Sequence, residues 1–346
     1  MPENFLDPGR KQSNMERKYF DFKLVNYDNL NEMAEMFSLC FNLTPPKNYF
    51  EWKFLNNPAG KAIGFVAYHE GEVAGFYGVI PEEFVVHGEK TIIYQSMDTM
   101  THPNYQRQGL FTNLAKKTYE HLIETDGEVF IIGFPGLTSH PGFVKKLGWK
   151  DIIIIDYIFL HRTAFKVKSL FKKSSNVSFE KIEKFDKSFK SYFENKQYAA
   201  DKILHRLDAP FLNWRLADNP LFKYELVKLS EGNEIIGFLV YKLDEKKRCF
   251  IHHIEFAEDQ LYEKYFNAVC QYLFDASRSS FLFTFEPTQP VLARVCQKNW
   301  FIKNPFSKGL FSYKPPFIGF SNREKIKNID FFQKQNYNIQ PLLRDY

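Results

Sequence analysis

Apolar and polar positions alternate over short stretches along most of the chain, with a few helix-like segments between them. Two stretches, 62–80 and 224–243, each carry two apolar runs around a Glu-Gly turn, which predicts two antiparallel hairpins. The segments 29–41 and 189–207, which precede these hairpins, are interpreted as helices. Strand clusters interrupted by helices predict an α+β fold, with mixed, mainly antiparallel sheets flanked by helices.

The stretch after the first hairpin carries the densest pattern. A further hairpin at 83–97 runs into the sequence THPNYQRQGLFTN, which ends in a predicted helix. The elements predicted there are a helix at about 110–123, a strand at 129–134, a short helix at 141–148 and a strand at 151–160.

The chain also contains an internal repeat. At a constant offset of 162 positions, FEWKFLNNPAG resembles LNWRLADNPLF and GEVAGF resembles NEIIGF; the paired residues are Trp52 with Trp214, Pro58 with Pro220, Glu72 with Glu234 and Gly75 with Gly237. A looser match joins Trp149 to Trp300. We therefore predict two tandem copies of one unit, divided near residue 165 into 1–165 and 166–346, with the Lys/Ser-rich stretch 166–179 as linker.

Composition restricts the class of protein. Hydrophobic residues make up 44% of the chain and charged residues 25%, but no apolar run approaches the roughly 20 residues that a membrane helix needs. The first 20 residues are polar and lack the apolar segment of a secretory signal. The four cysteines form no C-x-x-C pair or metal-ligand spacing, and the net charge of +5 is small. We expect a cytoplasmic protein with reduced thiols, no metal, and neither nucleic acid nor membrane as partner.

The single glycine of YQRQGLFTN lies at the start of a predicted helix. The first amides of a helix lack intrahelical acceptors, and the helix dipole favours negative charge there. Gly109 has no Cβ, so that a phosphate could approach the backbone closely. Gln106, Arg107 and Gln108 add donors and one positive charge. The pattern is neither a P-loop nor a dinucleotide fingerprint, and a plain helix start is the alternative interpretation.

The run THPNYQRQGLFTNLAKKTYEHL resembles the acyl-CoA-binding motif of the GNAT superfamily of N-acyltransferases, and SHPGFVKKLGW resembles the second landmark of that superfamily. Phe111 departs from the motif, which usually has a small residue there. The resemblance implies two tandem GNAT-like domains and acetyl-CoA or another acyl-CoA as co-substrate. The cofactor-binding residues that it implies are Met100, Thr101, Gln106, Arg107, Gln108, Gly109, Leu110, Phe111, Thr112 and Lys145.

The second unit lacks a glycine loop at the matching place and carries the acidic residues Glu255, Glu258 and Asp259 there. Acidic side chains would repel a pyrophosphate, so we expect a degenerate copy that contributes to the acceptor site or to a homodimer surface. Gln95, Tyr77, His252 and His253 are the predicted acceptor-binding residues.

Amine acylation requires removal of a proton from the attacking nitrogen. The family positions for the base and the acid hold Gln95 or Met97 and Val144, none of which titrates. Asp98 is a candidate base only if a β-bulge turns it inward. His140, Glu82 and Glu83 are the other catalytic candidates, and ordered water is a competing base.

The predicted function is acyl-CoA-dependent N-acylation of a small-molecule primary amine, with a nucleotide-linked amino sugar for surface polysaccharide synthesis as the preferred acceptor. Two alternatives remain. The missing catalytic side chains would suit a non-catalytic CoA sensor. A tandem enzyme that transfers an aminoacyl group from tRNA to a peptidoglycan precursor is disfavoured by the intact loop.

Overall fold

A computed structural model describes residues 18–169, 176–305, 308 and 312–344. Within these residues the helices are α1 (Leu30–Phe41), α2 (Tyr49–Phe54), α3 (Leu110–Asp126), α4 (His140–Leu147), α5 (Arg162–Ser169), α6 (Lys190–Glu194), α7 (Ala209–Leu212), α8 (Asp259–Ser277) and α9 (Pro290–Lys298).

The described strands form two large sheets. The first sheet has the order β1 (Asp21–Leu24), β2 (Ile63–His69), β3 (Glu72–Val86), β4 (Glu89–Thr101), β5 (Phe130–Gly133), β15 (Pro316–Ser321) and β6 (Lys150–Ile154), and β9 (Ile203–His205) pairs with β3. The second sheet has the order β14 (Ile302–Lys303), β7 (Tyr157–His161), β13 (Phe281–Phe285), β12 (Cys249–Phe256), β11 (Glu234–Leu243), β10 (Glu225–Glu231) and β8 (Val177–Ile182). A small ribbon joins β16 (Lys325–Ile326) to β17 (Ile329–Asp330). Only the pairs β4–β5 and β12–β13 are parallel among these strands, which confirms the predicted fold class.

The repeated tryptophans meet in the interior. The indole Nε1 of Trp52 donates to the carbonyl oxygen of Trp214 at 2.7 Å, and the indole Nε1 of Trp214 donates to the carbonyl oxygen of Trp52 at 2.8 Å. Their rings stack with centroids 5.3 Å apart. The internal repeat therefore produces a local two-fold arrangement, and one apolar core draws on both copies through residues such as Phe76 and Phe238.

Each sheet contains a strand that comes from the other side of the predicted division. The C-terminal strand β15 lies between β5 and β6 of the first sheet, and β7 lies beside β13 in the second sheet. The predicted division near residue 165 falls inside α5, and residues 170–175 of the predicted linker lie outside the described residues. That division stays a prediction, but neither sheet is built from one side of it alone.

Two predicted elements were wrong. The segment 189–207 forms a helix only at Lys190–Glu194; Ile203–His205 is a strand because the backbone of Phe84–Val86 offers it a ladder partner. The segment 151–160 is two strands, since the chain leaves the first sheet at Ile155, whose amide donates to the carbonyl oxygen of Pro315 at 3.0 Å. Pairing across the sheet overrides the local preference in both cases.

Candidate active site

A groove opens where β4 and β5 separate. Their parallel ladder contains only Tyr94 with Ile131 and Gln95 with Ile132. Beyond it lies a cavity of about 970 Å³, bounded by the end of β4, the loop before α3, the loop between β5 and α4, and the end of α1. A cavity of this volume suits an organic ligand of considerable size. The predicted site residues that line it are Gln95, Asp98, Thr101, Gln106, Arg107, Gly109, Leu110, Phe111, Thr112 and Lys145.

The loop at one end of the groove suits an anion. Gly109 caps α3 with a left-handed backbone (φ 81°), a conformation that costs little only for glycine. The amides that follow it belong to the first turn of a 17-residue helix and therefore lack intrahelical acceptors. Arg107, Lys145 and Lys146 also line the groove and add positive charge. The chemistry of this donor set fits the phosphates of CoA.

The bulky side chain of Phe111 is accommodated by a glycine of the second landmark. A Cβ added to Gly142 would lie 2.7 Å from the ring of Phe111. The same ring meets Phe143 edge to face, with centroids 5.0 Å apart. The two landmarks of the motif are thus in direct contact, and the missing Cβ of Gly142 makes room for the aromatic ring.

Asp98 is turned by a β-bulge. Met97 pairs with Gly78 and Met100 with Phe76, so that Asp98 and Thr99 together oppose the single residue Tyr77. The backbone of Asp98 has a φ of 39°, and its carboxylate lies 2.9 Å from the ammonium nitrogen of Lys53 on α2. The β-bulge on which the catalytic candidacy of Asp98 depends is therefore present. It directs the Asp98 side chain towards α2, at the edge of the groove.

Lys53 is a fully buried cation, and it was missed in the sequence. Its ammonium group also donates to the hydroxyl of Tyr49 at 3.1 Å. A buried ammonium requires a charged or hydrogen-bonding partner, which explains why it accompanies Asp98. A lone lysine within the apolar helix FEWKFL was the available signal.

Gln95 forms the polar end of the groove. Its side-chain amide is buried and donates to the carbonyl oxygen of Leu343 at 2.6 Å. Arg215, which is also buried, donates to the amide oxygen of Gln95 at 3.5 Å. The first unit, the second unit and the C-terminal segment therefore meet at this residue.

The other acid–base candidates lie outside the groove lining. His140 pairs with Asp151 at 2.7 Å at the start of α4. Glu82 is buried, with His205 at 3.5 Å, and Glu83 forms ion pairs with Arg206 and Lys90. Their predicted catalytic roles stay predictions.

Five more predicted residues also lie away from the groove lining: Met100, Gln108, Tyr77, His252 and His253. Met100 is in the apolar core, and Gln108 is in the loop without lining the groove. Tyr77 is fully buried with its hydroxyl 3.0 Å from that of Tyr119, and burial raises the pKa of Tyr77. His252 packs against aromatic rings of the second unit, where burial lowers its pKa to about 3.

The second unit has a matching strand separation, which the chain itself occupies. The parallel ladder of β12 and β13 contains only Cys249 with Leu282 and Phe250 with Phe283. Past that point the amide of Ile254 donates to the side-chain oxygen of Gln340 at 2.9 Å, and the side-chain nitrogen of Gln340 donates to the carbonyl oxygen of Ile254 at 3.2 Å. The C-terminal segment thus takes the backbone bonds that a ligand could take in the first unit.

Metal and membrane features are absent from the residues that the structure describes. No group of three His, Cys, Asp or Glu side chains there could hold a metal ion. No helix in the same ranges has the length and apolarity needed to cross a membrane.

Residues 21–152 match the family model described as an acetyltransferase (GNAT) domain. A search of the curated proteins found no match to the sequence. Similar solved structures include a probable N-acyltransferase from Enterococcus faecalis, with a TM-score of 0.66, 12% identity and coverage of 87% of this chain and 72% of that chain. A tandem GNAT protein from the clavulanic acid biosynthesis pathway has a TM-score of 0.56, 13% identity and coverage of 89% and 100%.

A third similar structure is a GCN5-related glucosamine N-acetyltransferase region of a fungal multi-domain β-N-acetylglucosaminidase. It has a TM-score of 0.53 and 14% identity, and the match covers 88% of this chain and 38% of that chain. At these identities the likeness concerns the fold alone, and the match to a GNAT acetyltransferase domain is confined to residues 21–152.

Proposed function

We propose that this chain, whose residues 21–152 match a GNAT acetyltransferase domain, is an acyl-CoA-dependent N-acyltransferase with an amino sugar as acceptor. The acyl donor of such an enzyme is an acyl-CoA thioester. The observation that carries the proposal is the groove between β4 and β5, which is lined by both the Gly109 loop and Asp98. Its positive charges suit the CoA phosphates, and its apolar and backbone lining suits the pantetheine arm.

The reaction forms a C–N bond and breaks the C–S bond of the thioester. The amine must attack with a free electron pair, and it loses one further proton as the amide forms. CoA leaves as a thiolate that takes up a proton. We assign to the backbone of β4 near Thr101, past the end of the β4–β5 ladder, the stabilisation of the oxyanion.

We assign to Asp98 the role of proton acceptor. The ammonium of Lys53 stabilises the ionised carboxylate and fixes its orientation. The same charge makes Asp98 a weak base, but the nitrogen becomes much more acidic once its bond to the acyl carbon has begun to form. A weak, well-placed carboxylate is sufficient for that late proton.

The acceptor class has separate support. The similar fungal region is described as a glucosamine N-acetyltransferase, and the second unit adds the buried polar side chain of Arg215 beside Gln95 of the groove lining. We favour an amino sugar carried on a nucleotide, as used for surface polysaccharides. Free glucosamine and a nucleotide-linked amino sugar are therefore separate arms of the test.

The test measures release of free thiol from acetyl-CoA with a panel of amines. We expect turnover with one of the amino sugars, and Asp98→Asn should lower kcat by about a hundredfold or more with little change in the KM for acetyl-CoA. Glu89→Gln, which removes an ion-paired carboxylate at the far end of the same strand, is the matched control. Tight CoA binding without turnover on any amine would contradict the enzyme and support a CoA sensor.

A further inference from the structure

A second polar cavity, of about 140 Å³, lies between the second unit and the C-terminal segment. Its wall touches the groove at one point: Leu343 lines this cavity, and its carbonyl oxygen accepts the hydrogen bond from Gln95, which lines the groove. The two cavities are therefore neighbours. Among the residues that surround the second cavity are Lys196, His205, His253, Glu255, Gln289 and Asn338.

The fixed charges of this cavity are largely paired with each other. Lys196 lies 2.7 Å from a carboxylate oxygen of Glu255, and the hydroxyl of Tyr192 donates to the same oxygen at 3.3 Å. Burial opposes ionisation of Glu255, but Lys196 and His253 outweigh it and lower the pKa of the carboxyl to about 2. The pair is thus ionised at neutral pH and close to neutral in sum.

Burial favours the neutral form of the two histidines of the cavity. Burial lowers the pKa of both His205 and His253. His253 is 6% exposed, and its Nε2 lies 3.3 Å from Glu255. Its Nδ1 is buried and has no hydrogen-bond partner among the described residues. A neutral imidazole offers one donor and one acceptor, and the contact of Nε2 with Glu255 uses only one of them.

The surrounding side chains suit hydroxyl groups. Gln289 and Asn338 carry amides, which both donate and accept, as hydroxyl groups do. Asp259 also lines the cavity and adds a carboxylate that would repel a diphosphate placed there. A compact, polyhydroxylated ring matches this set of groups better than a diphosphate or an acyl chain.

We propose that this cavity binds the sugar ring of the acceptor and that His253 and Lys196 are binding residues for its hydroxyl groups. The inference rests on the proposed amino-sugar N-acyltransferase function and extends it by placing the ring in the second unit. The degenerate copy would then supply the acceptor site, while its own strand separation is filled by Gln340.

The test compares steady-state kinetics with the amino sugar that the wild-type protein acylates. In His253→Phe the ring stack on Phe238 is kept and the ring nitrogens are lost. We expect the KM for the amino sugar to rise about tenfold or more, with the KM for acetyl-CoA unchanged. Lys196→Met should also raise the KM for the amino sugar. Lys228→Met is its control, because Lys228 forms an ion pair of similar length, 2.6 Å, with the more exposed Glu180 elsewhere in the second unit.

The outcomes separate the two proposals. Wild-type turnover with an unchanged acceptor KM in both His253→Phe and Lys196→Met would overturn this site but leave the enzyme intact. Absence of wild-type turnover on every amine would instead overturn the proposed function. Thermal unfolding of each variant shows whether it is folded, and an equal rise of both KM values would indicate a distorted protein and count against the site.

Discussion

At the scale of single residues, the contact between Phe111 and Gly142 explains the departure from the family motif. The sequence shows a large residue where a small one is usual, but the compensating glycine lies 31 positions further on and is recognisable only in three dimensions. Asp98 is similar. The sequence indicates the residue and the condition for its use, but a bulge depends on how two strands pair, which one strand does not reveal.

The Phe111–Gly142 contact makes a prediction about stability. In a free helix, Gly142→Ala would stabilise by up to about 1 kcal/mol, but here the new methyl would meet the ring of Phe111. We expect the free energy of unfolding to fall by about 1–3 kcal/mol, as measured by urea denaturation. Phe111→Leu should relieve the clash, so that Gly142→Ala costs less in that background. Equal costs in both backgrounds would show that the two side chains do not compete for space.

At the scale of elements, the strands around the two hairpins and the helices α3 and α4 follow from the sequence. The positions at which neighbouring strands stop pairing do not follow from it. The separation of β4 from β5 and of β12 from β13 depends on neighbours such as β15 and β7, which arrive from distant parts of the chain. Local periodicity contains no information about such partners, and this is why the groove was located from a motif and not from the strands.

The histidines of β12 and β9 predict how stability depends on pH. Burial lowers the pKa of His205, His252 and His253 in the folded chain, so the unfolded chain binds more protons below about pH 6.5. Each contributes stability that is full above that pH and is lost as the pH falls. We expect the free energy of unfolding to drop between pH 6.5 and 5 by up to about 2 kcal/mol per histidine. Urea denaturation at several pH values measures this, and His252→Gln should give a shallower dependence; a flat profile in the wild type would contradict the burial of neutral rings.

At the scale of the whole molecule, the repeat was visible in the sequence, but the way in which the two copies pack together was not. The offset of 162 positions predicted two copies, and Trp52 and Trp214 now meet on a local two-fold arrangement. The exchange of β7 and β15 was unpredictable because each is a short apolar strand that could complete either sheet. The exchange ties the copies together, and it leaves one groove for a ligand and one strand separation filled by the chain itself.

The central claim is that the groove behind the Gly109 loop binds one acyl-CoA per chain. Isothermal titration calorimetry with acetyl-CoA tests it most directly, with Gly109→Glu as the variant and Gly127→Glu as the control. Gly127 lies at the other end of α3 with a positive φ (77°) and open space around it, so Gly127→Glu adds the same charge at a strained position away from the groove. We predict a stoichiometry of one for the wild type and for Gly127→Glu, and an affinity at least about a hundredfold lower for Gly109→Glu. Unchanged affinity in folded Gly109→Glu, or two sites per chain, would contradict the account.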